Sequence, residues 1–173
     1  MVKAAGLFLA FIAASALGLL KSFEVRRRQR LLEEFRDLIA HIATEISYFK
    51  EPLPQIFGKL STCGNEETAI LMRSVMAACT SERFSSSLED MWNQSINLAY
   101  EQCPLTSEDL AVMKKCGQFL GQSNFQGQQE HFRLLDGQLL RQISEAEAAV
   151  RTKGRMYTKL GVSTGLVIAI ALL

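Results

Sequence analysis

Apolar residues recur every three or four positions through the middle of the chain, which is the period of an α-helix. Between Leu31 and Phe49 the apolar positions are 31, 32, 35, 38, 39, 42, 46 and 49. Apolar residues three or four positions apart lie on one face of an amphipathic helix. No segment alternates with a period of two, and no β-branched run is bounded by hairpin turns. The pattern predicts an all-α protein.

Turn and capping residues divide the remaining sequence into further helices. Pro52 and Pro54 end the first one and open the next, Asn65 is a predicted N-cap, and Thr106 with Asp109 resembles a capping box. The predicted helices cover Leu31–Phe49, Leu53–Leu60, Glu66–Cys79, Leu88–Tyr100, Leu110–Leu120 and a long stretch from about Phe125 onward. We expect a compact bundle of about six helices in which the first and last are long and antiparallel.

The two ends of the chain are apolar and uncharged. Ala4–Leu20 and Leu160–Leu173 contain no charged residue. Seventeen residues of helix reach roughly 26 Å, less than the ~30 Å hydrocarbon core, so spanning requires local thinning or snorkelling of flanking basic residues. We predict an N-terminal transmembrane helix at 1–20, a helical-bundle domain at 21–157 and a C-terminal transmembrane segment at 158–173, with the first and last helices of the bundle extending into the membrane.

A basic cluster borders each apolar end on its inner side. The membrane-proximal basic residues are Arg26, Arg27, Arg28, Arg30, Arg151, Lys153, Arg155 and Lys159. Because basic residues stay on the cytoplasmic side of membrane helices, both clusters indicate that the central domain is cytoplasmic. We expect them to contact an anionic lipid surface.

A cleaved signal peptide is the rival interpretation of the start of the chain. Lys3 fits an n-region, and Ala14-Ser15-Ala16 resembles a cleavage site. The basic cluster directly after that site disfavours export. The alternative function is therefore an exported or membrane-bound helical signalling or binding protein unrelated to secretion.

The formal charge of +1 hides an uneven distribution. Residues 37–149 contain eight basic and fifteen acidic residues. Such an acidic body is unlike a nucleic-acid-binding surface. We expect the end of this acidic domain that is distant from the membrane, and the loops near Pro52–Leu60 and Pro104, to contact a soluble partner.

The sequence offers little catalytic chemistry. His41 and His131 would meet if the first and last helices packed together, but a third ligand or a nucleophile is missing, and no nucleotide-binding, hydrolase or metalloprotease motif is present. We expect no enzyme activity, no cofactor, no metal site and no small-molecule substrate. The four widely spaced cysteines favour reduced thiols over two disulfides.

Five residues are candidates for a structural or docking role. They are Glu45, Tyr48, Pro52, Leu53 and Trp92. Glu45 and Tyr48 share a helical face and could bond the amides of the Pro52 turn. Core packing is favoured for Trp92, with partner docking as the alternative.

Several short motifs occur in a distinctive order along the whole chain. They are Glu45-Ile46-x-Tyr48-xxx-Pro52-Leu53, Ser87-Leu88-Glu89-Asp90-Met91-Trp92, Leu120-Gly121-x-Ser123-Asn124-xxx-Gln128 and Tyr157-x-Lys159-Leu160-Gly161-xxx-Gly165-Leu166. Their order and spacing resemble the stage III sporulation protein AB family of endospore-forming bacteria. The resemblance implies a fold like the cytoplasmic helical domains of type II secretion and type IV pilus platform proteins.

The same resemblance implies a function and partners. It indicates a non-enzymatic membrane scaffold of the secretion-like channel complex between mother cell and forespore, with the central domain on the mother-cell side. A cytoplasmic secretion-type ATPase and other channel membrane proteins are the expected partners.

Overall fold

The described part of the protein is entirely helical. The structure is a computed structural model that describes residues 2–49, 51–62, 64–80, 87–120, 125–154, 156 and 163. Its α-helices are α1 (Val2–Thr44), α2 (Leu53–Leu60), α3 (Glu66–Thr80), α4 (Leu88–Tyr100), α5 (Ser107–Leu120) and α6 (Phe125–Ala149). These residues contain no strand. The predicted all-α fold of about six helices is confirmed.

The two long helices each end in a wider π-helical segment. Glu45–Phe49 continues α1, and Val150–Gly154 continues α6. The sequence predicted the continuous helix through Phe49 but not the change of helix type, which leaves one turn with an extra residue.

Two compact units divide the chain. One comprises residues 1–30 and 144–173, here called the paired ends, and the other is Leu31–Ile143, here called the bundle. Within the paired ends, Ser22 and Ala146 are buried.

The core of the bundle is built from aromatic and aliphatic side chains of all six helices. Trp92 is fully buried, and its indole N–H donates a hydrogen bond of 3.0 Å to the carbonyl oxygen of Met113. Phe35 packs against Trp92 with ring centroids 6.3 Å apart, and against Tyr100 edge-on at 6.4 Å. Buried aromatic pairs of this kind contribute about 0.5–1.5 kcal/mol beyond the area they bury. Trp92 thus links α1, α4 and α5.

Side-chain caps fix where the helices of the bundle begin. Asn65 Oδ1 accepts a 2.8 Å hydrogen bond from the Thr68 amide ahead of α3, as the sequence predicted. Gly64, just before it, has a φ of 86°, a conformation that favours glycine.

The capping box predicted ahead of α5 is also present. The Thr106 amide donates to Asp109 Oδ2 at 2.8 Å, and the Asp109 amide donates to Thr106 Oγ1 at 3.1 Å. Because Thr106 is itself the N-cap, α5 begins at Ser107, three residues before the predicted Leu110.

The membrane segments predicted at both ends stay predictions. None of the helices, as far as the structure describes them, carries an apolar stretch of the length that a membrane crossing requires. Ala4–Leu20 forms part of α1, whereas the segment at 158–173 lies outside the described residues except for Ser163.

Candidate functional site

The two histidines occupy different surroundings in the bundle. The His131 ring stacks on Phe119 with centroids 4.2 Å apart and planes 9° from parallel. His41 is exposed on α1 beside Asp37 and Leu60. Among the described residues, no group of three histidine, cysteine or acidic side chains is arranged to hold a metal ion.

Three of the four cysteines are described, and they are thiols. Cys116 is fully buried in α5, and burial raises the pKa of its thiol well above the ordinary value. Burial also raises the pKa of Cys79. Cys103 is half-buried at the turn between α4 and α5. Cys63 lies outside the described residues.

Four of the eight predicted basic residues of the paired ends are exposed. Arg26, Arg27 and Arg30 are exposed, Arg28 is half-buried, and Arg151 pairs with Glu147 at 3.4 Å. Lys153 belongs to the π-helical segment after α6, and Arg155 and Lys159 lie outside the described residues. Arg26, Arg27 and Arg30 therefore lie at the surface of the described part of the paired ends.

One docking candidate near Pro52, Tyr48, lines a shallow groove. Tyr48 is 80% exposed and lines this groove of about 290 Å³ together with Ala43, Thr44, Ser47 and Phe132. Pro52 and Leu53 follow it at the start of α2, where the amides of Gln55 and Ile56 donate to the Pro52 carbonyl at 2.9 and 3.3 Å.

A salt bridge braces this turn. Lys59 Nζ lies 2.6 Å from Glu51 Oε1, and this hydrogen bond raises the pKa of Lys59, with a smaller contribution from the charge of Glu45. Glu45 is half-buried in the π-helical segment. Trp92, by contrast, presents no exposed surface to a partner.

A second cavity lies at the opposite end of the bundle. It occupies about 460 Å³ at the turn between α4 and α5 and is lined by Leu98, Tyr100, Glu101, Cys103, Leu105 and Leu110. We call it the Tyr100 cavity. Sequence reasoning missed it because its residues come together only when α4 and α5 pack.

Tyr100 is one of the residues that line this cavity, and its hydroxyl is buried. Only 2% of Tyr100 is exposed, and its hydroxyl has no hydrogen-bond partner among the described residues. Burial, and then the charges of Cys103, Glu67 and Glu34, raise the pKa of Tyr100. The hydroxyl therefore stays protonated at neutral pH in a negative environment.

The Pro52 turn and the turn between α4 and α5 lie at different heights along α1. Phe35 packs on Tyr100 and belongs to the first turns of α1 inside the bundle. Tyr48 lies thirteen residues further along the chain. At 1.5 Å per residue the two turns lie about 20 Å apart along that helix. The expectation that the loops near Pro52–Leu60 and Pro104 contact a soluble partner stays a prediction.

Comparisons with known proteins agree on one family. The family model described as stage III sporulation protein AB matches residues 3–173. A solved structure described as "Stage III sporulation protein AB (SpoIIIAB)" is similar in fold, with a TM-score of 0.65 and 22% sequence identity over 72% of this chain and 97% of that one. A search of curated proteins found no match. Since the family model covers nearly the whole sequence, the chain belongs to the stage III sporulation protein AB family.

Proposed function

We propose that this sporulation protein is a non-enzymatic platform, anchored in the membrane by both ends, for the secretion-like channel complex between mother cell and forespore. The observation that carries the proposal is the grouping of residues 1–30 with residues 144–173 in one compact unit apart from the bundle. Two uncharged apolar segments that belong to the same unit would enter a bilayer side by side.

The charge distribution supports the same arrangement. The exposed Arg26, Arg27 and Arg30 follow the first apolar segment, and a Lys or Arg near an anionic lipid surface contributes about 1 kcal/mol. The arginines would then lie on the cytoplasmic side. The bundle would face the mother-cell cytoplasm and bind a secretion-type ATPase, while other channel membrane proteins would contact the paired ends.

Thiol labelling in sporulating cells tests the placement of the bundle. We expect a membrane-impermeant maleimide to modify Cys103 after lysis but not in intact cells, as mapped by mass spectrometry. Cys116 is the internal control, because a fully buried thiol should stay unmodified until the protein is denatured. Modification of Cys103 in intact cells would contradict the cytoplasmic placement.

The native amino terminus separates this proposal from export. A membrane platform keeps the sequence that precedes Ala16, whereas a secreted protein would begin directly after it. Mass spectrometry of the protein isolated from sporulating cells reads this difference, and a terminus at Leu17 would support the exported alternative.

A further inference from the structure

A row of exposed apolar side chains on α1 continues past the uncharged segment of the sequence. Leu17, Leu20 and Phe23 follow one another at intervals of three residues and are 65%, 59% and 60% exposed. Residues three positions apart lie on the same side of a helix, so these three form one row, here called the Leu17–Phe23 strip. The uncharged segment ends at Leu20, so the apolar surface of α1 is longer than that segment.

Two polar residues precede Phe23 in the sequence but leave the strip accessible to an apolar environment. Lys21 Nζ lies 2.8 Å from Glu24 Oε2, so a carboxylate one turn away offsets the charge of the ammonium group. A lysine can also extend its ammonium group to water while its methylene groups stay in an apolar environment. Ser22 is only 4% exposed, so the protein itself shields this residue from the surroundings of the helix.

The surface of α1 changes from apolar to basic within one turn after Phe23. Arg26 and Arg27, three and four residues after Phe23, are both exposed. In the C-terminal half of the paired ends the order along the chain is reversed, because the exposed Arg151 comes before Met156, which is 47% exposed. An apolar zone next to a basic zone matches the hydrocarbon core and the anionic headgroups of a bilayer. This order favours lipid over a protein partner as the cover of the strip.

The uncharged segment and the strip together have the length of a membrane span. Ala4–Phe23 contains twenty residues and lies within α1. Twenty residues of helix reach about 30 Å, which is the typical thickness of the hydrocarbon core. A helix that ends its span at Leu20 is about 4.5 Å shorter and requires a thinner bilayer. A span that ends at Phe23 requires no thinning.

We infer that the lipid-facing surface of α1 extends to Phe23, whose ring lies at the edge of the hydrocarbon core, and that Arg26 and Arg27 contact the phosphates of anionic lipids just outside it. Lys21 reaches the headgroups from about 3 Å inside this edge. The inference rests on the proposed anchoring of both ends and assigns the depth at which α1 leaves the membrane.

Quenching of tryptophan emission by brominated lipids measures this depth on the full chain in vesicles of phosphatidylcholine and phosphatidylglycerol. Phe23→Trp places a reporter at the assigned edge, and Leu20→Trp places one about 4.5 Å deeper. Leu98→Trp is the matched control, because Leu98 is 61% exposed but belongs to the bundle. Trp92 is fully buried in the bundle and adds the same background emission to every variant.

The position of the bromine atoms determines the expected loss of emission. Bromine close to the glycerol should quench the Phe23→Trp variant more strongly than bromine near the centre of the bilayer, whereas the Leu20→Trp variant should be quenched by both. The Leu98→Trp variant and the native chain should be quenched by neither. Equal quenching of Leu98→Trp and Phe23→Trp would overturn the assigned edge.

Failure of this inference and failure of the proposed anchoring give different results. Quenching of Leu20→Trp without quenching of Phe23→Trp would place the end of the lipid contact at Leu20 and overturn the inference, while the anchoring would stand. A protein partner that covers Phe23 gives this same result. A chain that does not float with the vesicles in a density gradient would overturn both.

A charge at position 23 tests whether Phe23 holds the helix at this depth. Phe23→Asp shortens the apolar strip by one turn, so the tryptophan of Leu20→Trp in the same chain should move towards the headgroups. Its emission maximum should then shift to the red. Leu98→Asp combined with Leu20→Trp is the matched control and should leave the emission unchanged. Unchanged emission with Phe23→Asp as well would overturn the role assigned to Phe23.

Discussion

Gly117 on α5 lies close to Trp92 on α4. A Cβ atom at Gly117 would lie 2.8 Å from the Cβ and 2.9 Å from the Cδ1 of Trp92. Both residues are buried, and the indole is also held by its bond to Met113. The ring therefore has little freedom to move away.

We predict that Gly117→Ala lowers the free energy of unfolding by about 1–3 kcal/mol, because overpacking forces a rigid side chain aside. Gly137→Ala in α6 is the matched control: nothing lies within 4 Å of its added Cβ, so it should be neutral or stabilise by up to about 1 kcal/mol. Denaturant unfolding of the full chain in detergent, followed by circular dichroism, measures both. Equal effects would contradict the close approach.

The sequence predicted the roles of single residues correctly where their partners are close to them in the chain. Asn65 and Thr106 were identified as caps because their partners lie three residues away in the chain. The roles of Gly117 and Tyr100 depend on side chains of other helices. No spacing rule reveals such contacts before the packing of α4 on α5 is known.

At the scale of single elements, the start of α5 depends on a reciprocal cap. We predict that Thr106→Ala destabilises the bundle by about 0.5–2 kcal/mol, since the Asp109 amide loses its side-chain acceptor. Thr80→Ala is the control, because the Thr80 hydroxyl only donates to carbonyls of its own helix. Its effect should stay within about 0.5 kcal/mol. Thermal unfolding measures the stability of both variants. A larger loss of stability for Thr80→Ala than for Thr106→Ala would contradict the role of the cap.

Helix positions were predictable, whereas helix type was not. The limits of α2 and α4 agree with the predicted Leu53–Leu60 and Leu88–Tyr100. Prolines lie next to both helices in the sequence, and the Ser87 hydroxyl caps α4 by accepting a hydrogen bond from the Asp90 amide. The π-helical segment Glu45–Phe49 contains no glycine or proline. Nothing in its local sequence distinguishes it from a regular α-helical turn.

At the scale of the whole molecule, the proposed anchoring depends on two separate apolar segments. We predict that Phe11→Lys combined with Ile168→Lys moves the protein from the membrane to the supernatant on alkaline carbonate extraction. A lysine at the centre of a membrane helix costs about 2.5–3.5 kcal/mol. Leu134→Lys, at a position 53% exposed in the bundle, is the control and should stay in the membrane fraction. Retention of the double variant would contradict anchoring by these segments.

The sequence predicted the family and the all-α class. It did not predict where the turns and cavities of the bundle lie relative to each other. The order of the motifs from Glu45 to Leu166 led to the family that the family model then matched over residues 3–173. Counting charges predicted an acidic body. It did not reveal that the Pro52 turn and the Tyr100 cavity lie at opposite ends of the bundle, because that separation depends on the direction of α1.

The position of Trp92 also gives the protein a built-in optical reporter. It is the only tryptophan in the chain, so selectively excited emission arises from the bundle and from no other part of the molecule. Its indole is fully buried against Phe35 and hydrogen-bonded to Met113, so the emission of the folded protein should be blue-shifted. A red shift then reports loss of the bundle core in detergent, nanodiscs or native membranes without any added dye.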